Sequence, residues 1–350
     1  MPGRLLLALC LAGLAACAGP RYQGPPSDHF DGQRFHNVEP FDKGWRDLLR
    51  YYRTREPGVW VRDLEIAPGP PPPQRVGPGE LRVTVVNHAT VLIQADGLNV
   101  LTDPIWSERA SPVSWAGPRR FVPPGLRFED LPPIDLVLIS HNHFDHMDLP
   151  TLRRLEAAHR PLFVAGLGER GFLQARGLTR VTELDWWQAL PLSNGCQLWG
   201  VPTRHWTGRG FGARNRSLWL GFVLGTRGGP VYFAGDTGYA DHFRHTAARF
   251  GPMRLALLPI GAYEPRWLTA YQHMDPAEAV RAHQDLQARQ SLAVHFGTFE
   301  LSDEDQQQPP ADLARARDAA GLPPDAFTVP VFGAGHDLPS LPTATTGCPA

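Results

Sequence analysis

The sequence predicts an α/β protein, and three observations carry the prediction. Short apolar runs rich in β-branched residues recur along the chain, bounded by Gly, Pro, Asn or Asp in the manner of buried strands. Helix signals lie between several of them, such as Asp275 with Pro276 and Glu278, a capping box with proline in the first turn. Four of the runs also end in His or Asp, and in α/β folds the C-terminal strand ends share the edge where sites are built.

With 350 residues, 42% of them hydrophobic, the chain can bury the core of one large domain. A net charge of −1 leaves no electrostatic footprint for a polyanion, so no nucleic-acid partner is expected. At the N-terminus, Arg4, the apolar stretch Leu5 to Leu14 and the small pair Ala15-Ala16 read as an export signal over residues 1–16. Leu14-Ala15-Ala16-Cys17 resembles the bacterial lipobox, which makes Cys17 the expected lipidation site and the lipid the expected membrane anchor. Ala18 behind it points to the outer membrane, with the protein facing the periplasm of a bacterial cell envelope. No later run is apolar over the length needed to span a bilayer. An oxidising envelope permits a disulfide between Cys196 and Cys348, and the sequence leaves their pairing open.

Residues 17–40, rich in Gly, Pro, Asp and His and without periodicity, read as a tether. Residues 41–80 hold a short helix and a proline-rich connector. In the helix, Trp45, Leu48, Leu49 and Tyr52 form an i, i+3, i+4, i+7 stripe, expected to dock on the main domain; contact with lipid, aided by Lys43, Arg46, Arg50 and Arg53, is the alternative. Pro70 to Pro73 stiffen the connector and set a boundary near residue 80, with the domain over 81–340 and a tail over 341–350.

Strands are expected at Leu81–Val86, Thr90–Gln94 and Asn99–Leu101, with Ala95-Asp96-Gly97 turning a hairpin. His88, between the first two, reads as structural, with a place beside substrate or metal ligands as the lesser reading. Ile134 to Ile139 is the next strand, followed by a helix capped by Asp148 with Pro150 in its first turn. Leu162–Ala165 and Val181–Glu183 are strands flanking a helix near Arg170 to Arg176. Adjacent Trp186 and Trp187 cannot share a strand face, so one packs and the other lines a groove. Gln197–Val201, Val231–Ala234 and Ser291–Val294 complete the strands.

The stretch Ser140 to Asp148, S-H-N-H-F-D-H-M-D, sits where a strand ends. Imidazole and carboxylate are ligands that zinc and related divalent ions accept, and His141, His143, Asp145 and His146 put four within six positions. So compact a run cannot wrap an ion fully, and His205, Asp236 and His295 at other strand ends are the candidates to complete it. Gly235 lets the backbone approach closely before Asp236. His159, His242, His245, His283 and His336 lack that placement and read as non-ligands. Arg209, Arg214 and Arg216 read as a solvated basic loop.

The ordered set H-x-H-x-D-H, His205, Asp236 and His295 resembles the metallo-β-lactamase-fold hydrolases over roughly Leu81 to Leu338. Thr102 to Ile105, Gly117 to Phe121, Leu184 to Trp187, Phe233 to Tyr239, Ile260 to Trp267 and His295 to Phe299 are similar to the N-acyl-phosphatidylethanolamine-hydrolysing phospholipase D family. The resemblance implies a four-layer αββα sandwich and two zinc ions, with another divalent metal as the alternative. One ion would take His141, His143 and His205, the other Asp145, His146 and His295, with Asp236 bridging. Asn87 before His88 departs from the family's usual glycine and puts the local turn in question.

What this implies is hydrolysis of N-acyl-phosphatidylethanolamine-like phospholipids to phosphatidic acid and N-acylethanolamine. A metal-bridging hydroxide would attack in line and need no side-chain nucleophile. Asp145 and Asp236 would orient it, and His273 or Tyr263 would help the leaving group. A lactonase or other metallo-hydrolase of the same fold is the alternative; a β-lactamase is disfavoured because Cys196 has no strand-end context. A non-catalytic zinc-binding envelope lipoprotein is the alternative outside enzyme chemistry.

Overall fold

A computed structural model describes residues 19–41, 43–62, 66–210, 212–342 and 348. The expected signal at residues 1–16 and the expected lipidation at Cys17 lie outside them. In chain order the elements are α1 (Trp45–Thr54), β1 (Leu81–Asn87), β2 (Thr90–Ala95), β3 (Leu98–Thr102), β4 (Leu136–Leu138), α2 (Leu149–His159), β5 (Leu162–Gly166), α3 (Arg170–Gln174), β6 (Val181–Leu184), β7 (Ala189–Pro191) and β8 (Gln197–Val201). There follow β9 (Gly221–Leu224), β10 (Val231–Phe233), α4 (His242–Phe250), β11 (Leu255–Pro259), α5 (Arg266–Thr269), α6 (Pro276–Asp285), β12 (Ser291–Val294), α7 (Gln308–Ala319), β13 (Phe327–Thr328) and β14 (Gly335–Asp337).

They form two sheets of seven strands, ordered β14-β1-β2-β3-β4-β5-β6 and β13-β12-β11-β10-β9-β8-β7. In each sheet three antiparallel pairings are followed by three parallel ones, so β3 to β6 run together in the first and β10 to β13 in the second. The period-2 alternation of a strand assigns its side chains to two cores. Leu136 and Leu138 of β4 and Leu255 and Leu257 of β11 meet between the sheets. Val137 faces outward onto Leu152 and Leu155 of α2 and Phe172 and Leu173 of α3, and Ala256 and Leu258 face Phe243 of α4, Val280 of α6 and Leu313 of α7. Both faces of each central strand are therefore buried, and the layers run αββα.

Residues 20–40 do not form a tether. Phe30 and Phe35 are 1% exposed and join the inter-sheet core, and Tyr22 packs edge-on against Phe30 at 5.0 Å. Two buried aromatics suffice to anchor the segment without the periodicity that marks an element. The connector also lies on the domain, with Gln94 and Asn99 donating to the Pro73 and Gln74 carbonyls. At the other end, Cys196 and Cys348 are joined in a disulfide, which pins the tail.

Helix α1 is present, but its stripe faces away from the domain. Trp45 is 71% and Tyr52 63% exposed, while Tyr51 is buried and donates to Asp303 at 3.0 Å. Periodicity tells which residues share a face and is silent about where that face points. Asp148 stands at the N-cap of α2 with its carboxylate turned to Ser107 and Thr151 in place of the helix N–H groups. Asp275 makes the expected capping box with Glu278. Neither tryptophan of the Trp186-Trp187 pair lines the histidine cluster: Trp186 donates to the Trp219 carbonyl, and Trp187 packs on the outer core of the second sheet.

Candidate metal centre

Strand ends β4, β8, β10 and β12 bring His141, His205, Asp236 and His295 together with the loop residues His143, Asp145 and His146. His141, His143 and His205 offer nitrogens within 4.8 Å of one another, and so do the ligand atoms of Asp145, His146 and His295 together with His88. Asp236 lies between the two groups. Its Oδ2 is 3.9 Å from His141 Nε2, 3.7 Å from His205 Nε2 and 3.3 Å from His146 Nε2, and its Oδ1 is 3.2 Å from His295 Nε2.

Hydrogen bonds behind the rings decide which nitrogen each presents. His146 gives its Nδ1 proton to Asp103 at 2.7 Å. Ser140 Oγ donates to Asp103 and so accepts from His141 Nδ1 at 2.9 Å, and His205 Nδ1 donates to the Gln272 carbonyl at 3.1 Å. Three Nε2 lone pairs are thereby turned inward. His146 Nε2, His295 Nε2 and Asp236 Oδ1 are buried with no hydrogen-bond partner among the described residues. An orphaned buried polar atom costs about 1–3 kcal/mol, and a set of them converging on shared points is what a cation repays. The donor set, imidazole nitrogens with carboxylate oxygens, fits divalent metal ions.

Electrostatics agree with that fit. Burial drives His141 and His205 well below the usual imidazole range and His143 to about 4. Burial opposes charge on His146 and His295 as well, but the facing carboxylates, Asp236 first, raise His146 well above its ordinary value and His295 to about 9. Against the same burial, His146 holds Asp145 and Asp236 well below the carboxylate range. Two carboxylates buried among histidines call for positive charge at this point.

Three residues that the sequence reading left outside the candidate site belong here. His88 Nε2 is 3.0 Å from Asp145 Oδ2, and its ring centre is 4.0 Å from that of His295; the lesser reading of this histidine is the one the geometry supports. Arg209 is only 8% exposed and donates to the carbonyls of Asn142 and Met147, at 3.1 and 2.8 Å. It braces the ligand loop from both sides of His143 to His146, and a solvated loop is the wrong description of it. Asp103, fully buried, holds both the Ser140 amide and His146. Each is a charged or titratable group anchored far from its partner in sequence, and no local pattern exposes such a pairing.

His273 stands at the rim, its Nδ1 unpartnered and 3.9 Å from Asp236 Oδ2, with burial lowering its pKa to about 4. Tyr263 is elsewhere: its hydroxyl donates to Asp312 of α7. His159, His242, His245, His283 and His336 stay out of both ligand groups.

Comparison with known proteins agrees with the fold. A family model described as a β-lactamase superfamily domain matches residues 98–296. N-acyl-phosphatidylethanolamine-hydrolyzing phospholipase D 1 of Caenorhabditis elegans is 37% identical over 231 residues, 63% of this chain and 65% of that protein. The mitochondrial N-acyl-phosphatidylethanolamine-hydrolyzing phospholipase D of Saccharomyces cerevisiae is 38% identical over 215 residues, 60% of this chain and 46% of that one. Less than two thirds of either relative's length is therefore spanned. A solved metallo hydrolase from the archaeon Ignicoccus hospitalis superposes with a TM-score of 0.55 at 22% identity, over 74% of this chain and 98% of that one, a likeness of fold. The matched family model covers more than half of the chain, including the ends of β4, β8, β10 and β12 with His141, His205, Asp236 and His295, and the chain belongs to the β-lactamase superfamily.

Proposed function

We propose that the chain is a dinuclear zinc phosphodiesterase of the phospholipase D type, acting on N-acyl-phosphatidylethanolamine-like lipids. The carrying observation is that Asp236 lies within 4 Å of ring nitrogens from both ligand groups, while its own Oδ1 and the Nε2 atoms of His146 and His295 have no hydrogen-bond partner among the described residues. His141, His143 and His205 would hold one ion and Asp145, His146 and His295 the other, with Asp236 between. The names borne by the relatives support the substrate class.

When bound, such a pair of ions polarises a phosphoryl oxygen and acidifies water. The chain's own residues supply the rest. Asp103, Ser140 and the Gln272 carbonyl fix the rings, and Arg209 fixes the loop, so the ligand atoms need no rearrangement during turnover. Asp145, at the rim with a side chain 14% exposed, orients water entering from the open side. His273 faces the same space; burial keeps its ring neutral, so it meets a departing oxygen as a hydrogen-bond donor. The Cys196–Cys348 disulfide suits an oxidising compartment, in keeping with an exported envelope protein.

The test is metal analysis and lipid turnover on purified protein. About two divalent ions per chain and release of phosphatidic acid are expected, with Asp145→Asn slower by more than about a hundred-fold, since loss of a ligand costs more than loss of a group behind one. Full metal loading with turnover of lactones and none of phospholipids would move the chain to the alternative chemistry of the fold.

A further inference from the structure

The face that α1 turns outward is large, apolar and rimmed with positive charge. Trp45, Leu48, Leu49 and Tyr52 are 71%, 49%, 40% and 63% exposed. The opposite side is the one tied down: Arg50 lies over the Trp267 ring at 4.4 Å, Tyr51 bonds to Asp303, and Arg55 pairs with Glu300 and Asp303. A helix that serves only to cover a core turns its apolar stripe inward. Of the eleven exposed large apolar side chains among the described residues, seven fall between Val38 and Val61, which marks one segment and no general surface stickiness. From Lys43 to Arg55 there are five basic side chains against one acidic, and Arg46 and Arg53, along one margin of the stripe, enter no ion pair among the described residues.

The segment also lies on the edge that carries the histidine cluster. Asn37 donates to the His205 carbonyl at 2.8 Å, and Glu39 pairs with Arg204 at 3.1 Å. Helix α1 itself rests on Glu300 and Asp303, in the stretch that follows His295, and on Trp267, in the stretch that leads to His273. The described chain begins at this edge too, with Arg21 and Tyr22 bonded to Gly168 and Arg216 just past the end of β5.

We propose that α1, with the segment 38–61 around it, is a membrane-docking surface that lies in the headgroup region of a bilayer carrying anionic lipid and presents the histidine edge to it. The occupant follows from the chemistry. Trp and Tyr flanking two leucines on a convex helix favour the water–lipid boundary, where one end of each ring is wet and the other dry. Arginines along the stripe complement anionic headgroups. Docking of this kind is separate from catalysis and is read without turnover, so it stands or falls independently of the reaction proposed above.

The test uses the full chain with Cys10→Ser and Cys17→Ser, which leaves Cys196 and Cys348 as its only native cysteines and removes any acyl anchor. An environment-sensitive fluorophore is placed at Leu49→Cys, and in a second chain at Thr54→Cys, on the far side of the helix. Vesicles containing phosphatidylglycerol are expected to blue-shift and brighten the label at 49 while leaving the one at 54 unchanged. Arg46→Gln and Arg53→Gln should each weaken that partitioning about five-fold, and pure phosphatidylcholine vesicles should bind less than the anionic ones. A label at 49 that stays in water while the chain co-sediments with the vesicles overturns the proposal. So does a change that depends on protein concentration without vesicles, which would assign the face to a second copy of the chain.

Discussion

Asp103 decides which nitrogen His146 shows to the cluster. Fully buried, it takes the Ser140 amide at 2.7 Å, the Ser140 hydroxyl at 2.6 Å and the His146 Nδ1 proton at 2.7 Å, all as acceptor. Asp103→Asn puts a donor where one of those protons arrives and favours the wrong tautomer of His146. Metal affinity, measured by chelator competition, is expected to fall about 10–100-fold; unchanged affinity would show that the ring orients itself. Glu169 is the second such residue. It takes the Asn142 amide at 2.9 Å behind the ligand loop, its other oxygen has no partner, and burial pushes its pKa to about 7. Because this acid's folded pKa lies above its unfolded value, its contribution is fully present below about pH 4.5 and is lost as pH rises through 7. Stability should therefore decline by about 3 kcal/mol across that window, and Glu169→Gln should flatten the decline in thermal unfolding followed against pH. The candidate ligands His141, His143, Asp145 and His146 were legible as a dense, chemically typed run; Asp103, Glu169 and Arg209 were not. They stand 43, 27 and 62 residues from the loop residues they hold, with no local signature to announce a buried charge.

At the scale of elements, the site is a consequence of strands stopping. Shortly beyond each of β4, β8, β10 and β12 stands a His or Asp, and short apolar runs followed by ligand chemistry are readable in sequence. Other elements gave no such signal. Strand β9 follows a glycine-rich loop, β11 is as apolar as β4 and β12 but ends at Pro259 with no His or Asp to mark it, and α7 opens on two prolines with few apolar residues to mark a stripe. The edge where the sheets meet depends on one small residue. Gly235 holds φ +59°, and a Cβ there would come within 2.5 Å of Ser140 Cβ, across the gap between the ends of β10 and β4. Gly235→Ala is expected to cost about 1–3 kcal/mol in overpacking and to push Asp236 away from the histidines. Denaturant unfolding and metal content should therefore fall together. A loss of stability with metal content intact would mean that the two strand ends separate without disturbing the ligand set.

At the scale of the molecule, the two ends of the strands have been given different tasks. Asn37 and Glu39 are bonded at the histidine edge, and Phe30 and Phe35 of the same segment reach the inter-sheet core. At the opposite edge Cys196, just before β8 and fully buried in that same core, is bonded to Cys348. The chain between the two cysteines runs through β8 to β14 and four helices, so the cross-link closes a separation of 152 residues. Restricting so long a loop in the unfolded chain stabilises the fold by about 3–5 kcal/mol. Cys196 precedes β8 and His205 follows it, so the cross-link and the candidate metal centre sit at opposite ends of one strand. Stability and site chemistry should therefore separate. Cys196→Ala with Cys348→Ala, or treatment with a strong reductant, is expected to lower the unfolding midpoint while leaving metal content and turnover per folded molecule unchanged. If metal is lost at temperatures where the fold persists, the tail is coupled through the inter-sheet core to the far strand ends, and the two edges form one cooperative unit.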